Sequence, residues 1–215
     1  MNRFFRPIGA ALLDVLYPPR CLVCDDYADS FCDACRARIR PVEENLAPAG
    51  LAGVVCVGYH EEALRQAVLN LKFRRERGLA RPLAELMAAE LRRRMDEWRP
   101  DLLIPVPMHW LRVWERGFNH TQALAAEVSR AAGIPALEAL RRTRPAPPQV
   151  GLHADERRRN LSGVFAMVNA VSVAGRRVVV LDDVRTTGST LSECAGTLRK
   201  AGAAEVFGLT ITFEA

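Results

Sequence analysis

The sequence predicts an α/β protein: a mostly parallel sheet flanked by helices, preceded by a small N-terminal cysteine module that binds zinc. Three observations carry this reading. From about residue 51, short β-rich runs alternate with stretches of helical period, the pattern of parallel strands joined by covering helices. Residues 178–181, Val-Val-Val-Leu, contain no polar side chain, as a strand buried on both faces requires. Two Cys-x-x-C pairs, Cys21 with Cys24 and Cys32 with Cys35, lie close together near the N-terminus.

At the N-terminus, Arg3 and Arg6 precede an apolar stretch over 8–16. Asp14 interrupts that stretch, and Pro18, Pro19 and Arg20 stand where a small-residue cleavage site would be. A short amphipathic helix is expected there, not a secretion signal, and the protein reads as cytoplasmic. No apolar run approaches the roughly 18 uncharged residues of a membrane span.

The cysteine module is expected over residues 1–45. Each Cys-x-x-C pair presents two sulfurs to one ion, and two pairs complete a tetrahedral thiolate site. The spacer over 25–31 is polar and suits a loop. A reducing cytosol argues against the alternative, two disulfides. Four thiolate ligands leave no open position, so the Zn2+ is structural. Cys56 and Cys194 sit in apolar patterns and read as small buried hydrophobes.

The α/β domain is expected over 51–215. Residues 54–59 are rich in β-formers and predict a strand. Leu79, Leu83, Leu86, Met87, Leu91 and Met95 recur at helical spacing, with Pro82 tolerated in the first turn. Residues 102–106 predict a strand ending at Pro107. A helix starts near Asn119 or Thr121, turns Leu124 and Val128 inward, and stops at Gly133. The basic, Pro-containing stretch 141–160 shows no period and predicts a long functional loop. After the strand at 178–181, Leu191, Cys194, Ala195 and Leu198 line a helix closed by Gly202, and 206–211 supplies a last strand.

Net charge is +5, and its excess lies in the second part. Residues 1–50 hold six basic and seven acidic side chains; the remainder holds 24 against 18. Only Lys72 and Lys200 are lysines, so arginine supplies nearly all the positive charge. Guanidinium groups suit phosphate, but an arginine-rich solvated surface explains the same count.

The segment richest in chemistry is 178–190, Val-Val-Val-Leu-Asp-Asp-Val-Arg-Thr-Thr-Gly-Ser-Thr. A hydrophobic strand delivers Asp182 and Asp183 at its C-terminal end, where ligands bind in open α/β sheets. A turn of Thr186, Thr187, Gly188, Ser189 and Thr190 then opens a helix whose amides suit an anion. Gly188 allows close approach of the backbone, and Thr190 with Glu193 fits a capping box. Capping alone does not explain two adjacent carboxylates, which repel unless a cation or hydroxyl engages them. Neither G-x-x-x-x-G-K-[ST] nor G-x-G-x-x-G occurs.

This stretch resembles the phosphoribosyl-pyrophosphate (PRPP) signature of type I phosphoribosyltransferases. The resemblance implies that Asp182 and Asp183 bind the ribose hydroxyls and that residues 186–190 hold the 5′-phosphate. Arg185, expected among the PRPP-binding residues, replaces the aliphatic residue common at its position. Further motifs follow the same order: Pro105-Val106-Pro107, then Arg116-Gly117-Phe118-Asn119, then Gln149 with Leu152, then Arg157 to Asn160 with Gly163 and Phe165. With the cysteine module, they look like the ComF family, which includes the competence protein ComFC and GntX.

That resemblance implies a type I phosphoribosyltransferase-like fold and PRPP or a related nucleotide as ligand, with Mg2+ on the polyphosphate. His109, Arg112 and Arg116, after Pro107, lie where such folds bind pyrophosphate. Gln149 and Arg157 would reach inward from a lid. An acidic general base stands at the position of Thr186 in purine-salvage relatives, so 6-oxopurine salvage is disfavoured. Three functions stay open. One is phosphoribosyl transfer to an unknown acceptor, which makes the protein a glycosyltransferase. The second is a non-catalytic accessory role in DNA uptake, with competence-machinery proteins and single-stranded DNA as partners. The segment 65–94, nine basic against three acidic residues, would face the DNA. The third is a nucleotide-responsive regulator.

Overall fold

The structure, a computed structural model, describes residues 18–43, 46–143, 163–168 and 172–215. The helix expected over 8–16 and most of the stretch 141–160, with Gln149 and Arg157, lie outside the described residues.

Four strands form one parallel sheet. They are β1 (Gly53–Tyr59), β2 (Leu102–Pro105), β5 (Arg177–Arg185) and β6 (Glu205–Phe213), in the order β1-β6-β5-β2. Parallel pairing at Pro105↔Leu181 and Asp182↔Thr210 places the C-terminal ends of β2, β5 and β6 side by side. Alternation along each strand divides the core in two. Val179, Leu181, Leu103 and Leu209 face one hydrophobic cluster; Val178, Val180, Leu102 and Ile104 face the other. The fold class is the one the sequence predicts.

Helices cover both faces. On the first lie α2 (Glu62–Phe73), α3 (Ala80–Arg92) and α6 (His120–Ala132). Leu83, Met87 and Leu91 of α3 are completely buried, as their spacing requires. The expected periodicity up to Met95 is interrupted: α3 stops at Arg92, and a single turn, α4 (Met95–Trp98), follows. That turn seats Trp98 flat on Phe207, ring centroids 4.5 Å apart. Asn119 caps α6, its side chain accepting from the amides of Thr121 and Gln122, and Gly133 ends it in the left-handed region. The second face carries α7 (Ser189–Lys200), with Leu191, Cys194, Ala195 and Leu198 inward.

Two segments differ from expectation. The connection after Pro107 contains a short helix, α5 (Trp110–Arg116), none of whose residues is buried. Its hydrophobic residues show no inward stripe, so no periodicity marked it. At the start of the predicted 141–160 loop, Arg141 and Arg142 belong to β3 (Leu140–Arg142). This strand pairs antiparallel with β4 (Phe165–Met167), Arg142 opposite Phe165. Three-residue strands are too short for alternation to be read.

The cysteine module packs directly on the first face. Its one helix, α1 (Asp33–Ala37), follows Phe31, which is 1% exposed and joins the same cluster as Leu71 and Leu83. Asn70 of α2 donates its side-chain amide to the Leu22 carbonyl, and Ser30 donates to the Gly78 carbonyl at 3.2 Å. From the module the chain returns across the sheet's C-terminal edge, where Pro48 rests on Gly188.

Candidate functional site

Two centres carry the chemistry-bearing residues, and the first is the cysteine cluster. The Sγ atoms of Cys21, Cys24, Cys32 and Cys35 all lie within 4.8 Å of one another. Cys21 and Cys35 are 3.8 Å apart, Cys24 and Cys32 3.6 Å. A tetrahedron of thiolates about 2.3 Å from Zn2+ has edges of about 3.8 Å, so the donor set fits that ion. All four are free thiols. Cys21, Cys32 and Cys35 are buried and Cys24 is exposed; four protein thiolates fill a tetrahedral site, which leaves no coordination position for a substrate. Cys56 and Cys194 are buried elsewhere, as expected.

The second centre is the C-terminal end of β5. Because side chains alternate, Asp182 and Asp183 point to opposite faces of the sheet. Asp183 turns toward the face covered by α2 and α6. There its Oδ1 meets Lys72 Nζ at 2.9 Å, and its Oδ2 accepts from His120 Nε2. Arg116 Nη1 donates to His120 Nδ1 at 3.3 Å, which leaves the ring proton on Nε2, facing the carboxylate. Asp183 is only 7% exposed. Burial alone would raise its pKa, but Lys72 and the His120 bond outweigh it and hold the carboxyl well below the usual range.

Asp182 has the opposite environment. No cation lies within ion-pairing distance among the described residues, and its Oδ1 accepts only from the Asp183 amide, at 2.9 Å. Burial, and then the charge of Asp183, raise its pKa to about 7. Two adjacent carboxyls are thus set apart, one firmly ionised and one poised near neutrality. Divided roles for such pairs are a general sign of a site.

The turn at 186–190 follows. Gly188 has φ 75°, and a Cβ there would stand 2.3 Å from Pro48 Cγ, so only glycine fits. Thr187 and Ser189 hydroxyls are 2.7 Å apart at the rim. The expected capping box between Thr190 and Glu193 does not form. Gly188 takes the N-cap position without a side-chain cap, and Glu193 instead accepts from the Gly163 amide. The Ser189 amide donates to Thr187 Oγ1 at 3.4 Å, so the turn supplies its own acceptor for the first amide of α7. Arg185 is 5% exposed; it donates to the Leu46 carbonyl at 2.9 Å and lies 4.2 Å from the Phe213 ring centroid. It ties the segment before Pro48 to the sheet, a packing role in place of the ligand contact expected from its position.

His109 is buried and caps α5, accepting from the Leu111 amide at 3.3 Å. Arg112 is exposed, and it lies close enough to disfavour the charges of Arg116 and Arg142. Arg116 also sits 4.9 Å from the Phe73 ring, and Arg75 and Arg77 hold the carbonyls of Glu115 and Gly117. Three residues of the site escape sequence reasoning. Lys72 and His120 are separated from Asp183 by more than 60 residues, and only folding brings them together. Arg142 lies in a strand with no readable period. The one signal available was that a carboxylate pair needs cations, and Lys72 is one of only two lysines.

Comparison with known proteins adds the following. Residues 12–48 match the double zinc ribbon domain. Over 158 residues, 71% of this chain, the sequence is 36% identical to competence protein F of Haemophilus influenzae, covering 69% of that protein. It is 37% identical to the DNA utilization protein YhgH of Escherichia coli K12 over 157 residues, 68% of that protein. Among solved structures, glutamine PRPP amidotransferase from B. subtilis is 25% identical, with 60% of this chain and 25% of that one covered and a TM-score of 0.41. An adenine phosphoribosyltransferase is 18% identical over 67% of this chain and 75% of that one, TM-score 0.43. Among the described residues, no helix is long and apolar enough to cross a membrane.

Two outcomes follow from this geometry. Purified protein is expected to carry one zinc per chain by elemental analysis; Cys32→Ser loses it and unfolds at a clearly lower temperature. Unchanged zinc content in the variant would contradict the site. For Asp182, a folded pKa of about 7 against about 3.9 unfolded means that stability is lost as pH rises through that interval. Asp182→Asn is therefore expected to match wild type in urea denaturation near pH 4 and to exceed it at pH 8. An equal difference at both pH values would refute the raised pKa.

Proposed function

The chain belongs to the competence protein F family, and from that premise we propose that it binds PRPP with Mg2+ and transfers the phosphoribosyl group to an acceptor. The observation that carries this reading is the end of β5: two carboxylates in opposite electrostatic states, followed at once by a glycine turn, its rim hydroxyls and the start of α7. Asp182 accepts from the ribose hydroxyls, and the 5′-phosphate takes the amides and hydroxyls of 186–190. Arg112 and Arg116 face the pyrophosphate, and Mg2+ travels with its oxygens as a hard cation. Asp183 is already ion-paired, so its work is to hold Lys72 and His120 in register beside the sugar.

In the transfer, an acceptor nucleophile forms a bond to ribose C1 while the bond from C1 to pyrophosphate breaks. Positive charge develops on the sugar, next to Asp182, and the negative charge leaves with pyrophosphate toward the arginines. The relatives are named competence protein F and DNA utilization protein, which supports a role for this chemistry in competence and DNA utilization. Single-stranded DNA itself finds weak support as a ligand of the segment 65–94. Four of its nine basic residues are ion-paired: Lys72, Arg81, Arg93 and Arg94. Three more, Arg75, Arg77 and Arg92, are bonded to backbone carbonyls.

Calorimetric titration of PRPP, with and without Mg2+, tests the reading. Wild type binds with Mg2+, and Asp182→Asn binds at least about tenfold more weakly, as expected for a lost charge-assisted hydrogen bond. Equal affinity in both proteins, or binding by neither, would sink the phosphoribosyl reading.

A further inference from the structure

The last turn of α2 is held from two sides. On one side Lys72 Nζ reaches Asp183 Oδ1 at 2.9 Å; on the other, Asn70 donates its side-chain amide to the Leu22 carbonyl at 2.5 Å. Residues two apart on a helix point about 200° apart around its axis, so the two contacts together fix the rotation of α2. Leu71, between them, is completely buried.

Leu22 belongs to the metal knuckle. It lies between Cys21 and Cys24, and its amide donates to the Ser30 carbonyl at 2.9 Å. Both backbone groups of this residue are thus engaged, one inside the module and one on α2. Its side chain also closes on Gly78, where a Cβ would stand 3.1 Å from Leu22 Cδ1. A module this small has little core of its own, so metal binding and the position of the Leu22 carbonyl go together.

Asn70 is committed to this contact. It is 4% exposed, and its Oδ1 accepts from Gln66 Nε2 at 2.7 Å, which turns the amide nitrogen toward Leu22. Its backbone carbonyl accepts from the amides of Arg74 and Glu76 at 3.0 and 3.3 Å, closing the helix. The chain then leaves through Arg75 at φ 59°, a conformation that a non-glycine residue keeps only where its surroundings impose it. A buried asparagine whose donor serves another element's carbonyl fixes where the turn sits.

We propose that Asn70 is a positioning residue that links the zinc site to the carboxylate site: it seats the last turn of α2 on the metal knuckle so that Lys72 meets Asp183, and zinc occupancy thereby governs that ion pair. Where PRPP binding needs the pair in place, zinc and PRPP strengthen each other's binding by the same factor. That consequence rests on the phosphoribosyl reading; the effect on Lys72 does not.

The sequence supplies the probe. Lys72 and Lys200 are the only lysines, and Lys200 is exposed. Full-length, zinc-loaded protein carrying nitrogen-15 lysine therefore reports Lys72 by NMR as the ammonium whose protons are protected, since its side chain is only 15% exposed. Asn70→Leu is expected to keep its zinc while the Lys72 protons exchange at least about tenfold faster with water. Asn70→Gln, which retains a donor, restores part of the protection. In wild type, a chelator is expected to remove zinc and the Lys72 protection in step, while far-ultraviolet circular dichroism keeps the α/β signal. In Asn70→Leu and in chelated wild type, affinity for PRPP with Mg2+ falls at least about fivefold. Unchanged Lys72 exchange in zinc-loaded Asn70→Leu would overturn the proposal. So would a Lys72 signal that survives zinc removal, or one lost only together with the fold. The chelator titration needs no variant, so it decides the matter even where Asn70→Leu does not fold. If Lys72 responds although wild type binds no PRPP, the positioning role stands and the phosphoribosyl reading falls.

Discussion

A carboxylate buried at the end of a central strand has to be matched by partners that other elements deliver, and Asp183 fixes where those elements must end and begin. Lys72 comes from the last turn of α2, His120 from the first residue of α6, and Arg116 from the end of α5. Removing one partner of such a buried pair costs about 3–5 kcal/mol, because the remaining charge is left uncompensated. The register of three helices against β5 is thereby tied to one side chain. The same pairing sets the character of Asp182. With Lys72 and His120 engaged on the other face of the sheet, Asp182 is left beside a negative neighbour in a sparsely solvated place. Its raised pKa follows from that geometry.

The cysteine module and the turn at 186–190 are joined by the same logic of shared partners. Phe31 packs into the cluster that also holds Leu71, one residue from Lys72. Beyond the module, Arg185 grips the Leu46 carbonyl and Pro48 sits against Gly188. The chain beyond the module is therefore more than a peripheral loop: at Leu46 and Pro48 it forms part of the wall behind the turn at 186–190. Arg185 finds its explanation here. At a position where an aliphatic residue would serve packing alone, the guanidinium stacks on Phe213 and fastens the returning chain.

Most of the sheet was legible in the sequence, because buried parallel strands announce themselves as unbroken apolar runs and both ends of α6 carry their own caps in Asn119 and Gly133. The zinc ligands were legible for a similar reason, since a tetrahedral site made of two Cys-x-x-C pairs is local in sequence. What stayed hidden is what only the fold brings together. Lys72 and His120 approach Asp183 through the packing of α2 and α6 on one face, and no spacing rule reports that. The capping box failed for a competing reason: the N-cap of α7 is Gly188, two residues earlier than the Thr190–Glu193 pattern requires, and Glu193 found another amide. Helix α5 was missed because it buries nothing. Its Trp110, Leu111 and Trp114 are exposed and make no inward stripe.

In the proposed reaction, Asp182 is the carboxyl that changes state when the sugar arrives. Ribose hydroxyls donating to it favour the ionised form, so binding lowers its pKa and releases a proton. Calorimetry of PRPP binding at pH 7, repeated in buffers of different ionisation enthalpy, counts that proton directly. Relative to Asp182→Asn, wild type is predicted to release up to about half a proton more, the fraction bound when pH equals a pKa of about 7. Identical proton release from the two proteins would contradict the account.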